Sequence, residues 1–287
     1  MWILFSLLAG LSRSFKEVYG KFRSNRFDEY VISWGMKMVM VILLLPILFF
    51  IEIPPLNYKF YINLVVVGFL STITAITYFK AIKSSDLSIT IPFMAFTPLF
   101  MLITSPIIIG EFPGPMGLVG VLLIVAGSYV LNFAERKIGY LEPFKKLLRE
   151  KGPRYMLLTA LLWSVQGNLD KIGIGYVGPY LWVLFLNLFG VVVLSFLVFY
   201  KKERIKQIKN RKDMLRLVPL GIFGLGDVLF NMIAIQYTLV VYVISIKRFN
   251  IVFSALLGFF IFKEKHMKER LVGIIIMMVG VLMIGFS

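Results

Sequence analysis

The chain carries ten apolar runs, each close to the 17 to 25 residues that an α-helix needs to cross the hydrocarbon core of a membrane. They cover approximately residues 2–19, 30–51, 60–79, 87–109, 116–133, 155–172, 180–200, 217–235, 240–262 and 271–286. Backbone amides must be hydrogen-bonded inside lipid, and these runs lack the ten-residue alternation of a membrane β-barrel. The sequence therefore predicts an all-α integral membrane protein with ten transmembrane helices, here called spans 1 to 10.

Composition agrees with this prediction, since 59% of the 287 residues are hydrophobic and 16% are charged. Soluble domains have about 45–50% apolar and about 25% charged residues. The first run has no basic region ahead of its apolar stretch and carries Arg13, Lys16 and Glu17 in its second half, so we expect a retained span rather than a signal peptide. The chain has no cysteine, which excludes disulfides and thiolate metal sites.

The placement of the cations predicts an orientation in the membrane. The net charge is +16, and 24 of the 31 Lys and Arg lie in loops that follow odd-numbered spans, whereas only Lys59 lies in a loop after an even-numbered span. By the positive-inside rule, both termini are extracytoplasmic and the protein lies in the cytoplasmic membrane. The basic stretch 201–216 is therefore interpreted as an anchor to anionic membrane lipid, and nucleic acid is not an expected partner.

The sequence also repeats itself. A shift of 153 residues aligns 68–134 with 221–287 without a gap. The identical positions include Glu111 with Glu264, Gly120 with Gly273 and Gly127 with Gly280. The two glutamates are expected to cap short turns at the membrane surface. Glycines seven residues apart share one helix face, so the glycine pairs are expected to allow close helix packing.

Five spans per copy is an odd number, so the second copy must enter the membrane in the opposite sense. The predicted organisation is a first five-helix repeat at 1–134, a basic cytoplasmic linker at 135–153 and a second five-helix repeat at 154–287. Many secondary transporters use inverted repeats of this kind, with the substrate site near the midplane where the halves meet.

Two stretches carry a resemblance to a known family. The first half contains "IPFMAFTPLFMLITSPIIIGEFPGPMGLVGVLLIVAGSYVLNF", and the second contains "ISIKRFNIVFSALLGFFIFKEKHMKERLVGIIIMMVGVLMIGF". Each has a span rich in proline or small residues, a short "GE" or "KE" turn and a last span that carries glycines. This pattern resembles the EamA-type, ten-helix branch of the drug/metabolite transporter superfamily. The resemblance implies a transporter but does not name a substrate, and Ile251 stands where the first half has Pro98.

Charged residues inside a span usually face a bundle interior, a cavity or a partner, because each costs roughly 2.5 to 3.5 kcal/mol at the bilayer centre. Lys247 and Arg248 lie about 10 Å or more inside span 9, too deep for both to reach the headgroups. Asp227 lies about halfway along span 8, at a similar depth to Arg248. An ion pair with Asp227 could account for one cation, but two cations beside one anion leave a positive charge that suits a carboxylate or phosphate. We therefore predict Lys247 and Arg248 as substrate anchors in a water-filled cavity. The triose-phosphate translocators of the wider superfamily have a similar Lys-Arg pair.

Neighbouring polar and aromatic side chains complete the candidate substrate site. They are Asn250, Asn231, Gln166, Trp163 and Tyr78. Each could instead make a helix-helix hydrogen bond. Among the other cations within spans, Lys16 and Lys171 are expected to extend to the headgroups from near the span ends. Lys37 could do the same or face the cavity, and Arg13 is expected to pair with Glu17, four residues on.

We therefore predict an alternating-access exporter or exchanger of a small polar metabolite that bears an anionic group, such as an amino acid or organic acid. One alternative is an efflux carrier for cationic or amphipathic compounds, with Asp227 and Asp170 as anchors. The other is a non-transporting membrane scaffold or lipid scramblase. No enzyme motif, catalytic residue, metal site or cofactor site is expected. The expected partners are the substrate, membrane lipid and a second copy in a possible homodimer.

Overall fold

The structure, a computed structural model, describes residues 1–24, 26–85, 90–133, 150–209, 211–253 and 267–287. Within these ranges every regular element is a helix. The principal helices begin with α1 (Trp2–Ser24), α2 (Glu29–Leu44), α3 (Tyr58–Ser84), α4 (Phe96–Ile109) and α5 (Pro115–Phe133). They continue with the helical segment Lys151–Phe199, α8 (Val218–Ile235), α9 (Val240–Lys247) and α10 (Met267–Gly285). Most of the predicted linker, residues 135–149, and the end of span 9, residues 254–262, lie outside the described residues.

The segment Lys151–Phe199 is two helices, α6 (151–177) and α7 (179–199), divided at Gly178. Gly178 has φ 74° and ψ 170°, a backbone conformation that only glycine adopts without strain. Pro179 follows as the first residue of α7, where its missing N–H costs no helical hydrogen bond. With this division, the described helices agree with the ten predicted spans.

Other helix ends follow from local side chains. Asp28 accepts a hydrogen bond from the amide of Tyr30 at the start of α2, and Asn57 accepts one from the amide of Phe60 at the start of α3, both at 2.9 Å. These oxygens satisfy amides that have no partner within the helix. Gly110, with φ 71°, ends α4 in the left-handed conformation typical of a helix C-terminus.

By length and composition, four stretches of the described chain could each cross a membrane, namely Glu29–Phe49, Tyr58–Ser84, Lys151–Phe199 and Asp213–Ile235. The other apolar helices are shorter, since Phe93–Ile109, Pro115–Val130 and Leu271–Gly285 are each 10 to 17 residues long. Large apolar side chains cover the outside of the bundle, as Ile107 (78% exposed) and Phe196 (75% exposed) show. A helix bundle with such an exterior suits a lipid solvent.

Helices that are equivalent under the 153-residue shift make equivalent contacts. α1 packs on α8, and its equivalent α6 packs on α3. In the same way α1 contacts α9, and α6 contacts α4 through the hydrogen bond from Ser105 to Asn168. The two copies detected in the sequence therefore use one set of helix contacts twice.

The packing of α5 on α10 shows the same symmetry at atomic level. A Cβ placed on Gly120 would lie 2.7 Å from the carbonyl oxygen of Gly280, and a Cβ on Gly280 would lie 2.7 Å from that of Gly120. A Cβ on Gly127 would lie 2.7 Å from the carbonyl oxygen of Gly273. Position 120 faces 280 and position 127 faces 273, so the two helices run antiparallel. The close packing predicted for these glycines is confirmed.

Spans 4 and 9, which correspond under the repeat, are each interrupted, and the two interruptions overlap at the equivalent positions 95 and 248. Residues Ile91–Ala95 form a 3₁₀ helix, and α4 begins directly after it at Phe96. In the second copy α9 ends at Lys247, a turn follows at 248–249, and helical structure resumes at 250. The amide of Arg248 donates to Ser245 at 3.0 Å, a three-residue spacing typical of 3₁₀ geometry. The interruption in α9 therefore forms without a proline at position 251.

Candidate functional site

A cavity of about 130 Å³ lies between α1, α2, α3, α4, α6, α7, α8 and α9. This volume is similar to that of a cavity able to hold a benzene-sized molecule. Seven of the eight residues predicted for the substrate site line it, namely Lys247, Arg248, Asp227, Asn231, Gln166, Trp163 and Tyr78. The structure thus brings together residues from four helices that are far apart in the sequence.

Asp227 of α8 is the centre of the charges in this cavity, and it is 1% exposed. Its Oδ1 lies 2.5 Å from the ammonium of Lys247, and its Oδ2 pairs with the ammonium of Lys16. The guanidinium of Arg13 is 3.9 Å from Oδ2. Three cations therefore surround this one carboxylate. The alternative in which Asp227 pairs with Arg248 is therefore wrong, and so is the expectation that Lys16 extends to the headgroups.

Arg248 is placed differently from the other buried cations. It lines the cavity at the interruption in α9 and is 2% exposed. Within the described part of the chain, its Nε and Nη1 have no hydrogen-bond acceptor and no carboxylate oxygen lies within 4.0 Å of it. A buried guanidinium normally has several acceptors because desolvating an unpaired charge is costly. Arg248 is therefore available to a ligand.

Arg13 of α1 is held by both a charge and two aromatic rings. Its Nε donates to Oε1 of Glu17 at 2.9 Å, which confirms the predicted pair. Its guanidinium carbon lies 4.4 Å from the ring centroid of Trp163 and 5.8 Å from that of Tyr78. These cation–π contacts fix the guanidinium at the junction of α1, α3 and α6.

Lys37 of α2 faces the cavity, so the interpretation in which it reaches the membrane surface is wrong. It is 4% exposed, and its ammonium donates to the hydroxyl of Ser71 at 2.9 Å. A Cβ on Gly190 of α7 would lie 2.7 Å from Cδ of Lys37, so a larger residue there would displace the end of the lysine side chain.

Gly10, Ser14 and Glu17 of α1 contact the chain at the end of α9, around its interruption. A Cβ on Gly10 would lie 2.9 Å from the carbonyl oxygen of Lys247, so only glycine lets the helices approach this closely. The hydroxyl of Ser14 donates to the carbonyl oxygen of Asn250 at 2.7 Å. The side-chain amide of Asn250 in turn donates to Oε2 of Glu17 at 2.9 Å. Asn250 is thus buried between α1 and α9 and is not among the residues that line the cavity.

α3 and α6 also provide hydrogen-bonding groups, most of which are uncharged. The hydroxyl of Thr74 donates to Gln166 at 3.1 Å, and Gln166 donates to Asp170 at 3.3 Å. The indole of Trp182 donates to the other oxygen of Asp170 at 2.8 Å. The hydroxyl of Tyr78 and the side-chain oxygen of Asn231 are buried without a partner in the described structure. A ligand could bond to both.

The formal charges of the described residues leave the cavity positive. Its lining contains five cations, Arg13, Lys16, Lys37, Lys247 and Arg248, and two carboxylates, Asp170 and Asp227. Glu17, behind Arg13, adds a third carboxylate, so two positive charges have no anionic partner. The excess positive charge inferred from the sequence is therefore present, and it is spread over more residues than the sequence analysis named.

Glu111 has a structural role at one end of the bundle, as predicted. Its Oε2 accepts from the amide of Val240 at 3.2 Å and so caps the start of α9. Its Oε1 pairs with Lys171, whose ammonium also donates to the carbonyl oxygen of Thr238 at 2.8 Å. Lys171 therefore joins α6 to the turn before α9. Glu264, the repeat equivalent of Glu111, lies outside the described residues.

Sequence reasoning did not include Arg13, Lys16, Lys37 and Asp170 in the predicted anion-binding site, although all four line the cavity. Two signals in the sequence could have indicated Arg13 and Lys16. Arg13 and Lys16 are three residues apart and share a helix face, and the 153-residue shift places Arg13 over Gln166, which was predicted.

Comparisons with known proteins agree with this geometry. The sequence model of the EamA-like transporter family matches residues 1–133 and 151–286. A solved protein structure with 15% sequence identity superimposes on 98% of this chain and 95% of its own, with a TM-score of 0.75, which shows a shared fold. No curated protein sequence matches the chain. The chain belongs to the EamA-like transporter family, whose members are integral membrane transporters of small molecules and not enzymes.

Proposed function

We propose that this member of the EamA-like transporter family is a secondary carrier for a small polar metabolite with an anionic group, moved by alternating access through the cavity. The observation that carries the proposal is Arg248, which is 2% exposed, faces the cavity and has no acceptor for Nε and Nη1 in the described structure. A carboxylate or phosphate oxygen would supply that acceptor with a charge-assisted hydrogen bond.

The surrounding charges favour an anion over a cation. Lys16 and Lys247 both contact Asp227, and one carboxylate cannot neutralise both of them. An anion that enters next to Arg248 meets an excess of positive charge in a site of low dielectric constant, where charge interactions are strong. The unpartnered groups of Tyr78 and Asn231 can then hydrogen-bond polar parts of the same molecule.

Alternating access fits two five-helix repeats, 1–134 and 154–287, inserted in opposite senses. The reciprocal glycine contacts of α5 and α10 support this arrangement, because an antiparallel pair with equivalent contacts in both directions implies a local two-fold axis. The interruptions before α4 and after α9 also support it, since carriers bind substrates at broken helices between inverted repeats. The positive-inside rule places residues 135–153 in the cytoplasm and both termini outside, in the cytoplasmic membrane.

The test is uptake of labelled compounds by liposomes that contain the purified protein. The panel has three anions of different chemistry, pyruvate, glutamate and inorganic phosphate, and choline as a cation. We expect saturable uptake of at least one anion that unlabelled anion inhibits. Uptake of choline alone would favour the alternative carrier for cations, with Asp227 or Asp170 as the anchor. Transbilayer movement of lipid without uptake of any of the four compounds would favour the scramblase alternative.

The Arg248→Ala variant tests the anion site itself. We expect it to weaken anion binding by roughly 1.5 to 3 kcal/mol, about 10- to 150-fold, the usual value of a hydrogen bond to a charged group. Stability should not fall, because the substitution removes a buried charge that has no partner. Arg204→Ala is the matched control, since Arg204 is 7% exposed, lies outside the cavity lining and is bonded to Asp28 and to the carbonyl oxygen of Leu197.

The control variant should lose stability and keep the affinity of the wild type. Arg248→Ala with unchanged affinity and reduced stability would show that Arg248 is a structural residue, and the proposed anion site would then be rejected.

A further inference from the structure

The two repeats contain equivalent pairs of hydrogen-bonded side chains that differ in charge. The 153-residue shift aligns Glu17 with Asp170 and Arg13 with Gln166. Each carboxylate accepts a hydrogen bond from the residue four positions earlier on its own helix, Glu17 from Arg13 at 2.9 Å and Asp170 from Gln166 at 3.3 Å. The first pair is ionic, whereas the second has a neutral donor. Asp170 therefore occupies the place of an ion-paired carboxylate without the ion pair.

The surroundings of Asp170 contain donors but no cation in contact. It is 2% exposed, and both of its hydrogen bonds come from neutral groups, the indole of Trp182 and the amide of Gln166. In the described part of the chain no Lys or Arg nitrogen lies within 4.0 Å of its oxygens. Two lysines act on it from a greater distance, Lys37 of α2 and Lys247 of α9.

The remaining charged groups around the cavity have other partners or positions. α1 provides Arg13, Lys16 and Glu17, α8 provides Asp227, and α9 provides Arg248 next to Lys247. α6 also carries Lys171, which is bonded to Glu111. The lining residues from α3, α4 and α7 are uncharged. Of the three buried carboxylates, only Asp170 is without a contacting cation in the described structure.

This geometry balances the two protonation states of Asp170. Burial without a contacting counter-ion disfavours the charged form of a carboxyl group. The hydrogen bonds from two neutral donors and the field of two lysines favour it. Glu17 and Asp227 each contact a cation, and a proton on either carboxylate would leave that buried cation without its partner, so they are poor candidates for proton exchange. Asp170 also lines the cavity, where a proton can reach it by the route that the substrate uses.

We propose that Asp170 is the proton-binding residue of the transport cycle, and that the proton and an anionic substrate move through the membrane in the same direction. This inference rests on the proposed function, because it concerns the coupling of the same site. Protonation of Asp170 removes a negative charge from the cavity, so an anion binds more tightly. By linkage, the bound anion increases the proton affinity of Asp170 by the same factor. A cationic substrate would compete with the proton and move in the opposite direction.

The first test needs no substrate. Infrared difference spectra of the detergent-purified protein detect the carbonyl stretch of a buried protonated carboxyl. We record them between about pH 5 and about pH 8, a range that spans the ionisation of carboxyl groups in buried sites. We expect this band in the wild type and in Asp170→Glu, which keeps the carboxyl, but not in Asp170→Asn. A band of equal size in a folded Asp170→Asn variant would overturn the proposal. If that variant does not fold, a wild-type spectrum without any such band has the same consequence.

The second test measures coupling, with pyruvate as the probe because its own charge is constant over this range. We expect the half-saturating concentration of pyruvate for the wild type to fall at least about fivefold as the pH decreases, the lower end of usual coupling between sites. Asp170→Asn should bind tightly at every pH and carry pyruvate without protons into liposomes that contain a pH-sensitive dye. Anion uptake with the same pH dependence in Asp170→Asn would overturn the proposal and point to Lys37 or Lys247.

The two tests separate this inference from the proposed function. Absence of uptake of pyruvate, glutamate and phosphate counts against the anion carrier, and the infrared spectra still decide whether Asp170 binds a proton. Uptake of an anion with no infrared band and no pH dependence supports the carrier and rejects the proton site.

Discussion

Replacement of Gly120 by Ala tests the reciprocal glycine contact of α5 and α10. The new Cβ would lie 2.7 Å from the carbonyl oxygen of Gly280 and 3.1 Å from the amide nitrogen of Ile284, so the obstacle is backbone and cannot rotate away. An ordinary carbon-to-oxygen contact is about 3.3 Å or longer, so the helices must separate by about 0.6 Å. Overpacking of this size costs about 1 to 3 kcal/mol, partly offset by up to about 1 kcal/mol from the better helix propensity of Ala. With the full offset, we expect a net loss of up to about 2 kcal/mol relative to the wild type, and a loss of about 1 to 3 kcal/mol relative to an alanine substitution that makes no new contact.

The matched control is Gly175→Ala. Gly175 is an exposed residue inside α6, and a Cβ there would meet nothing within 4 Å. This variant gains helix propensity without any new contact, so it should be as stable as the wild type or slightly more stable. The assay is unfolding of the purified protein in mixed micelles with increasing denaturing detergent, followed by tryptophan fluorescence and circular dichroism.

The two-fold relation adds a quantitative requirement. Gly280→Ala places its Cβ 2.7 Å from the carbonyl oxygen of Gly120, so its loss should equal that of Gly120→Ala. The double variant should lose less than the sum, because one separation of α5 from α10 relieves both contacts. A Gly120→Ala variant as stable as Gly175→Ala would refute this account of the packing. Strictly additive losses would show that the two contacts are independent and would contradict the shared axis.

Two further predictions concern the charge cluster and the orientation of the chain. Asp227→Asn leaves Lys16 and Lys247 without their carboxylate, so we expect a loss of about 3 to 5 kcal/mol in the same unfolding assay. Partial recovery is expected when Lys16→Gln is added, and full stability of the single variant would show that these charges are solvated. A C-terminal reporter that is active only in the cytoplasm should give no signal, because the cation bias puts both termini outside. A strong signal would reverse the proposed orientation.

The sequence predicted features that depend on spacing within one helix or on the internal repeat. Arg13 and Glu17 are four residues apart and pair as expected, since the helix itself places them together. Gly120 and Gly127 are seven residues apart and share the face that packs on α10. The apolar runs predicted the helices, although Gly178 rather than a loop divides α6 from α7.

Features that depend on the rotation of one helix against another were not predictable in the same way. Lys16 is near the end of its predicted span, and a lysine there can reach the headgroups of a membrane. It instead turns to Asp227, which is 211 positions away in the chain, and only the packed bundle shows this. An ion pair of Arg248 with Asp227 was the alternative to its role as a substrate anchor, because both lie at similar depth. In the structure Lys247 contacts that carboxylate, and Arg248 has no carboxylate partner among the described residues.

The repeat explains why polar groups line every side of the cavity while most of the cations lie on one side. Residues that coincide under the 153-residue shift have similar positions in their helices. Four of the five lining cations lie on α1 or at the end of α9, however, and their equivalents in α6 and the 3₁₀ segment before α4 are neutral. The coinciding residues are Arg13 with Gln166, Lys247 with Met94 and Arg248 with Ala95. Asp227 likewise coincides with Thr74, and the contact of Arg13 with Asp227 corresponds to the hydrogen bond between Thr74 and Gln166.

A protein made of two equivalent repeats can open its cavity to either face of a membrane with equal ease. The two open states differ only in which repeat takes which packing arrangement. A symmetric set of charges would bind a ligand equally well in two opposite orientations. The present set does not, since the proposed anion anchor Arg248 lies at the end of α9 and Asp170 lies on α6. In the proposed alternating-access cycle, the site therefore keeps the same polarity while its opening changes sides. This places the substrate's anionic group on α9 and the proton-binding carboxyl on α6 throughout the proposed cycle.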